Sequence, residues 1–420
     1  MEDKQMKGHV LVLPYPSQGH INPLLQFAKC LASKGVKATP ATTHYTLNSI
    51  SAAHIGAGNV DFYLKTLAEL IQKFSNSATP VNCVVYDSFL LWALDHGIYG
   101  AAFFTNSATM YSIFAHIHHG LLTLPLTPET MPLLLPGLPP LNFPDLPSFL
   151  RFPDSYPPYL AMKLSQYSNL NLADWVFNNT FEELEGKEAR GVSEIWPAKL
   201  IGPMVPSAYL DERIKGDRGY GSSLWKPFSE ECIEWLETKP SNSVVYVFFG
   251  SMVSLSEEQI AEFAWGLKEK NMYSLWVVRD SEQQKLPKWF LDSVQEKGKV
   301  VTWCNQLEIL AHRSVGCFVT HCGWNSTIEG LSLGVLMIGT DQLTDGKFVE
   351  EIWEIGVRAK EDEVGVVRKD ELLRCLKEVM EGEKNKEIRI DANKLRDSAM
   401  KCIDEFVQHL MASYQNLNGL

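Results

Sequence analysis

The chain has 420 residues, of which 45% are hydrophobic and 21% are charged, enough for two domains that each bury a full core. A formal net charge of −12 argues against nucleic acid as a partner and offers no basic surface to a membrane. No signal peptide, no apolar run of the ~18 residues that span a bilayer and no C-x-x-C pair is found, so we expect a reduced, cytoplasmic protein.

The first 43 residues have the pattern of a strand, a helix and a second strand. The apolar run from Gly8 ends in a turn, the loop 17–20 follows, and Asn22-Pro23 predicts a helix start. Gly35 suits the left-handed end of that helix. This order predicts a parallel sheet, and the absence of G-x-G-x-x-G in the first turn weakens a dehydrogenase interpretation.

His20 and Asp87 are the first candidates for chemistry. On residue type alone, a His between a loop and a helix is more often a surface or capping residue. Asp87, however, follows the apolar run 81–86, and ligands of parallel sheets bind at the carboxyl ends of strands. At that edge the two side chains can form an oriented His–Asp dyad whose nucleophile comes from the substrate.

Two segments in the middle of the first half have ambiguous patterns. His116, His118 and His119 lack accompanying acidic or cysteine ligands, so we predict a pocket rim or a solvated helix end rather than a metal site. The Pro-rich segment 121–158 predicts an irregular loop that covers an apolar pocket, although a plain structural loop fits equally well. The run 174–180 reads as the last strand of the first domain.

The second half repeats the alternation of strands and helices. We predict a first domain at 1–205, a linker at 206–226 that is rich in Gly, Ser and charge, and a second domain at 227–400. Residues 401–420 predict a C-terminal helix that packs back on the first domain.

The most informative stretch lies between Val301 and Asp345. A buried strand at 315–320 leads through a Gly-containing turn into a helix, which brings backbone N–H groups and the positive helix end to one point. Asn325 and Ser326 are N-cap residue types that can also bind phosphate. Nearby, Trp303 offers a face to a base and Glu329 can accept from ribose hydroxyls. Taken singly, a Trp is more often core and a Glu in a first turn more often a dipole partner.

The ordered set W-C-x-Q, L-x-H, H-C-G-W-N-S-x-x-E and T-D resembles the donor-binding signature of plant UDP-sugar-dependent glycosyltransferases. The resemblance runs from the PSQGHINP segment to the C-terminal helix. It implies the α/β GT-B fold, with two Rossmann-like parallel-sheet domains facing across a cleft. In that fold, the domain at 1–205 would bind the acceptor and the domain at 227–400 the UDP-sugar. It also implies His20 as catalytic base and Asp87 as its orienting partner. The donor-binding residues it implies are Ser17, Ser251, Trp303, Cys304, Gln306, His321, Gly323, Trp324, Asn325, Ser326, Glu329 and Asp345.

The signature departs from the family pattern at its end. The family usually has Trp where Leu343 stands and Pro where Leu336 stands, and it closes on an Asp-Gln pair that holds the sugar hydroxyls. Here Asp345 is followed by Gly346, so the Gln and about four further residues are taken as missing. The chain is also shortened near 50–58. The nucleotide half of the site is expected to be intact and the sugar half altered.

The expected activity is inverting transfer of a sugar, by default glucose from UDP-glucose, to a hydroxyl or carboxyl of a small hydrophobic acceptor. The motifs most resemble those of plant enzymes of secondary metabolism that act on steroids, triterpenoids and small acids, and we favour a steroid as the acceptor. Neither a cofactor nor a metal is expected, and the protein is expected to be a monomer. The alternative is a UDP-binding protein with weak or lost transfer. A hydrolase is disfavoured because no G-x-S-x-G elbow supplies a nucleophile.

Overall fold

The computed structural model describes residues 8–42, 46, 67–94, 98–155, 157–293 and 297–381. The chain divides into two compact units. Of the described residues, the first unit contains those up to Phe143 and Ser148–Leu224, and the second contains Pro144–Pro147 and 225–381. The shortened segment at 50–58 and the predicted C-terminal helix 401–420 lie outside the described residues.

The first unit is built on a parallel six-stranded sheet with the strand order β2-β1-β3-β4-β5-β6. Its elements are β1 (His9–Leu13), α1 (Gln18–Ser33), β2 (Lys37–Pro40), α2 (Leu67–Ser75), β3 (Cys83–Asp87), β4 (Tyr99–Phe104), α3 (Ala108–His118), α4 (Ser148–Arg151), α5 (Pro157–Ser165), β5 (Trp175–Asn178), α6 (Glu182–Gly191) and β6 (Lys199–Leu200). Phe27 of α1 packs between Phe103 and Phe177 of the sheet in the core.

Two predictions about this unit were wrong. The first helix begins at Gln18 rather than Asn22, so that Pro23 lies inside it and His20 sits in its first turn. A Pro is tolerated near the start of a helix because the first N–H groups have no intrahelical acceptor. The run at 174–180 is not the last strand either, since β6 adds two residues beyond β5.

The second unit has its own parallel sheet, with the strand order β12-β11-β10-β7-β8-β9. Its elements are α7 (Ser229–Glu237), β7 (Val244–Phe248), α8 (Glu257–Lys270), β8 (Tyr273–Val277), α9 (Lys288–Ser293), β9 (Gly298–Val301), α10 (Gln306–Leu310), β10 (Val315–Thr320), α11 (Trp324–Ser332), β11 (Leu336–Gly339), α12 (Leu343–Lys347), β12 (Gly356–Arg358) and α13 (Lys369–Glu381). All strands run parallel, as the sequence predicted.

Most of the segment predicted as a linker packs on the first unit. Asp217 is 6% exposed, and its carboxylate accepts hydrogen bonds from Gln26 Nε2 at 2.7 Å, Lys29 Nζ at 2.9 Å and Ser207 N–H at 2.7 Å. Two of these donors lie on α1. Buried carboxylates that accept several hydrogen bonds fix the backbone that carries them. Within the described ranges, no helix is long and apolar enough to cross a membrane.

The start of α3 is held by a buried carboxylate from α6. Glu185 is fully buried, and its oxygens accept from Ala108 N–H at 2.9 Å, Thr109 N–H at 3.0 Å and the Thr109 hydroxyl at 3.1 Å. The adjacent N-cap, Ser107, accepts from Met110 N–H. These contacts satisfy N–H groups that a helix start leaves without partners. They also fix the loop that follows β4.

We expect Glu185→Ala to lower the free energy of unfolding by about 1–3 kcal/mol, because it leaves buried N–H groups without an acceptor. Denaturant titration of the whole chain measures the change. Glu183→Ala removes an exposed carboxylate from the same helix and should change stability by less than about 0.5 kcal/mol. Equal unfolding midpoints for the two variants would contradict this role of Glu185.

Candidate active site

His20 and Asp87 lie together, as the sequence predicted. His20 Nδ1 is 2.6 Å from Asp87 Oδ2, and Asp87 is the fully buried last residue of β3. The second carboxylate oxygen accepts from Phe89 N–H at 3.1 Å. Because a carboxylate only accepts hydrogen bonds, Nδ1 carries the proton and Nε2 is the basic nitrogen. This is the arrangement in which an imidazole removes a proton from a hydroxyl.

Further groups around His20 were not found from the sequence. The Thr105 hydroxyl, in the loop after β4, lies 3.1 Å from His20 Nδ1. The rings of Tyr15 and Phe89 lie 5.4 and 5.2 Å from the imidazole, centre to centre. The His20 side chain is 14% exposed. An apolar wall beside a basic nitrogen suits an apolar molecule that carries a hydroxyl.

In the second unit, the predicted strand, turn and helix are present, with one correction. β10 ends at Thr320, Cys322 adopts a left-handed φ of 55°, and α11 begins at Trp324 with Gly323 as its N-cap. Asn325 and Ser326 therefore lie in the first turn and are not N-cap residues. The helix has nine residues, and its start lies four residues after the end of β10.

His321 is enclosed by two glycines and occurs as a neutral ring. A Cβ added at Gly250, whose φ is +73°, would lie 2.6 Å from the ring, and one at Gly323 would lie 2.1 Å from it. Only glycine fits at either position while the ring stays in place. Burial, together with the charge of Arg279, lowers the pKa of His321 to about 4. At neutral pH the ring therefore offers one N–H donor and one acceptor.

Arg279 has a structural role that the sequence did not reveal. Its guanidinium donates to the carbonyl oxygens of Ser251 and Val253 in the loop after β7. That loop carries Gly250, which lies against the His321 ring, and Ser251, which is a predicted donor-binding residue. A planar guanidinium that binds two carbonyls holds a loop more rigidly than a single donor does.

The residues predicted to bind a nucleoside are close to one another. Gln306 Nε2 donates to Glu329 Oε2 at 2.8 Å and to the Ser326 hydroxyl at 3.2 Å. Trp303 is 9% exposed, and the Trp225 ring lies 4.4 Å from it at 36°. The side chains of Gln306, on α10, and Glu329, on α11, are thus hydrogen-bonded to each other.

The remaining predicted residues have more varied positions. Ser17 is the N-cap residue of α1 in the first unit, and Cys304 is buried with its thiol 3.5 Å from the Tyr246 hydroxyl. Asp345 lies in the middle of α12 and is only 4% exposed.

Asp341 and Gln342 were not predicted as site residues, and they follow the end of β11 after a single residue, Thr340. Gln342 N–H donates to the His321 carbonyl at 2.8 Å. Burial raises the pKa of Asp341, and a hydrogen bond with the Gln342 side chain opposes that rise. The signal was present in the sequence, because these two residues are themselves an Asp-Gln pair four residues upstream of the expected place.

Comparison with known proteins identifies the family. The chain is 46% identical to UDP-glycosyltransferase 74B1 of Arabidopsis thaliana, over 96% of this chain and 95% of that protein. The chain belongs to the UDP-glycosyltransferase family. The family model described as UDP-glucoronosyl and UDP-glucosyl transferase matches residues 207–411. Flavonol 7-O-beta-glucosyltransferase UGT74F1 of the same plant is 42% identical, over 96% of each chain.

Solved structures agree with this assignment. The structure of Os79 from O. sativa in complex with UDP has a TM-score of 0.90 and 32% identity, covering 96% of this chain and 100% of that one. The predicted family, the GT-B fold class and the predicted enzyme class are therefore confirmed. This UDP-glycosyltransferase transfers sugar from a UDP-sugar to a small acceptor.

The pKa of His321 gives a measurable pH dependence. Its folded-state pKa of about 4 lies below the ordinary value near 6.5, so the unfolded chain binds the proton more readily. The contribution of the neutral ring to the free energy of unfolding is fully present above about pH 6.5 and is lost as the pH falls towards about 4. We expect His321→Gln to weaken the pH dependence of the unfolding free energy in that range.

Titration of the imidazole signals by NMR measures the same quantity directly. His9, whose pKa burial likewise lowers to about 4, is a matched buried histidine in the other unit. A His321 signal that titrates near pH 6.5 would contradict the assignment of a neutral ring with a lowered pKa.

Proposed function

We propose that this UDP-glycosyltransferase transfers glucose from UDP-glucose to a hydroxyl or carboxyl group of a small hydrophobic plant metabolite, such as a steroid, with inversion at the anomeric carbon. The observation that carries the proposal is the 2.6 Å hydrogen bond between His20 and the buried Asp87. Glucose is favoured by the related flavonol glucosyltransferase. An apolar acceptor is favoured by the aromatic rings beside His20.

In this mechanism His20 Nε2 takes the proton of the acceptor hydroxyl as that oxygen attacks the anomeric carbon. The bond from the anomeric carbon to the diphosphate breaks on the opposite side, and UDP leaves with the electron pair. Asp87 keeps the proton on Nδ1 and stabilises the imidazolium that forms. General-base assistance of this kind contributes about 10²–10⁴ in rate. A carboxylate acceptor is already ionised and would need only positioning.

We assign UDP binding to the second unit. Uracil would stack on Trp303 and bond to Gln306, and Glu329 would accept from the ribose hydroxyls. The first N–H groups of α11, together with the N–H of neutral His321 and the Ser251 loop, would bind the diphosphate. These donors would stabilise the departing UDP, so the proposal includes no metal and no cofactor.

For the sugar we propose Asp341 and Gln342 instead of Asp345. The pair lies at the carboxyl end of β11 and is bonded through its backbone to His321. Asp345 instead lies in the middle of α12 and is buried. In this register the Asp-Gln pair of the family is retained, and the shortening falls before it, between Gly339 and Thr340. A carboxylate and an amide together provide acceptors and donors for sugar hydroxyls.

We also propose a cytoplasmic monomer. Among the described residues, seven cysteines are buried and form no disulfide, which suits a reducing compartment. Size-exclusion chromatography with light scattering measures the association state.

We expect His20→Ala to abolish transfer from UDP-glucose to hydroxyl acceptors, with UDP affinity in calorimetry within twofold of the parent. A panel of sterols, flavonols and benzoic acids with product detection by mass spectrometry tests this. Asp87→Asn should reduce the rate strongly as well, because it favours the wrong tautomer. Full activity of His20→Ala would exclude the dyad. UDP binding without any glycoside from the parent protein would instead favour a binding protein.

We expect Asp341→Asn to lower kcat/KM for UDP-glucose by about 10- to 100-fold, the loss of one hydrogen bond to a charged group. UDP alone should bind as before, because the change lies at the sugar. Asp345→Asn is the matched control and should leave kcat/KM within about threefold. The reverse order of effects would return the sugar contact to Asp345.

A further inference from the structure

A short segment of the Pro-rich stretch belongs to the second unit and carries a buried charge. Asp145, in the segment Pro144–Pro147, is 2% exposed. Its carboxylate lies 2.7 Å from Arg358 Nη1 and 3.4 Å from Lys347 Nζ. Its backbone carbonyl accepts a hydrogen bond from the Thr344 hydroxyl at 2.7 Å.

These three partners of Asp145 lie on or beside α12. Thr344 and Lys347 belong to this helix, and Arg358, at the end of β12, also reaches the Leu343 carbonyl at 3.5 Å. Lys347 is shared with Glu351, at 2.5 Å. Asp145 therefore contacts α12 near both ends, through Thr344 and Lys347. It also pairs with Arg358, which contacts the first residue of the helix.

The position of α12 determines the position of the Asp-Gln pair. Only Thr340, Asp341 and Gln342 separate the end of β11 from the start of α12. The Gln342 carbonyl accepts from Gly346 N–H at 2.8 Å, so the pair is continuous with the first turn of the helix. A shift of α12 would move both side chains.

A buried ion cluster is a costly way to gain stability, because desolvation of the charges offsets most of their attraction. What the cluster provides instead is a fixed orientation of the side chains that take part in it. An apolar residue at 145 would bury a similar area but would not fix the orientation of two cations and a hydroxyl. The cluster is nearly balanced, with Asp145 and Glu351 opposite Lys347 and Arg358.

We propose that Asp145 is a positioning residue for the donor sugar. It fixes α12 and thereby holds Asp341 and Gln342 in the orientation that binds the sugar hydroxyls. The inference rests on the proposed role of that pair. Asp145 itself touches neither the nucleotide nor the sugar, and the nucleotide residues on α10 and α11 do not depend on it.

The test compares the binding of UDP-glucose with the binding of UDP alone. In Asp145→Asn we expect KM for UDP-glucose to rise about tenfold, while the dissociation constant of UDP, measured by calorimetry, stays within twofold. The matched control is Asp362→Asn, which breaks an Asp–Arg pair of similar length in the same unit, with Arg368 Nε at 2.6 Å. Both constants should be unchanged in the control.

A second variant separates positioning from loss of stability. Asp145→Asn combined with Arg358→Gln removes the cation that has lost its nearest carboxylate and leaves Lys347 paired with Glu351. The melting temperature of this double variant should recover towards the parent while KM for UDP-glucose stays raised. Equal weakening of UDP and UDP-glucose, or an unchanged KM, would overturn the role of Asp145. Absence of transfer by the parent protein would instead refute the proposed function, so the two failures are distinguishable.

Discussion

Parallel strands end at a common edge of their sheet, and both candidate sites depend on that constraint. In the first unit, β3 ends at Asp87 and the loop after β4 brings Thr105 to His20. In the second unit, the ends of β7, β10 and β11 lead to Gly250, His321 and Asp341. The backbone groups of a parallel sheet are satisfied within it, so the loops beyond this edge can vary in sequence and carry chemistry.

The two histidines show how environment sets the role of one residue type. The imidazole of His20 faces a buried carboxylate, which accepts from Nδ1 and orients the ring. His321 instead lies near the cation Arg279 and between two glycine backbones, where ionisation is disfavoured. One ring is therefore equipped to take a proton, whereas the other remains a neutral hydrogen-bond donor and acceptor. The sequence places both after strands but does not distinguish their partners.

Features with a local pattern could be predicted from the sequence, and those made by distant residues could not. The strands of the parallel sheets and the turn before α11 follow from signals in short stretches. The His20–Asp87 pair spans 67 positions, but each residue has its own local signal near a strand end, and parallel strands end at one edge. The two-residue strand β6 has no periodicity to detect, and an early Pro misplaced the start of α1. Asp145 meets Arg358 across 213 positions of sequence, so no local pattern reveals their contact.

The shortened end of the donor signature changes how the sugar contacts are supported. With only three residues between β11 and α12, the Asp-Gln pair has little backbone freedom of its own, and its orientation follows from the helix. Asp145, Lys347 and Arg358 then form a coupled set. Replacing Asp145 alone leaves Lys347 and Arg358 with only the half-exposed Glu351, whereas replacing the carboxylate together with one cation keeps the charges balanced. Substitutions at these three positions are therefore constrained jointly, although none of the three residues is proposed to contact the sugar.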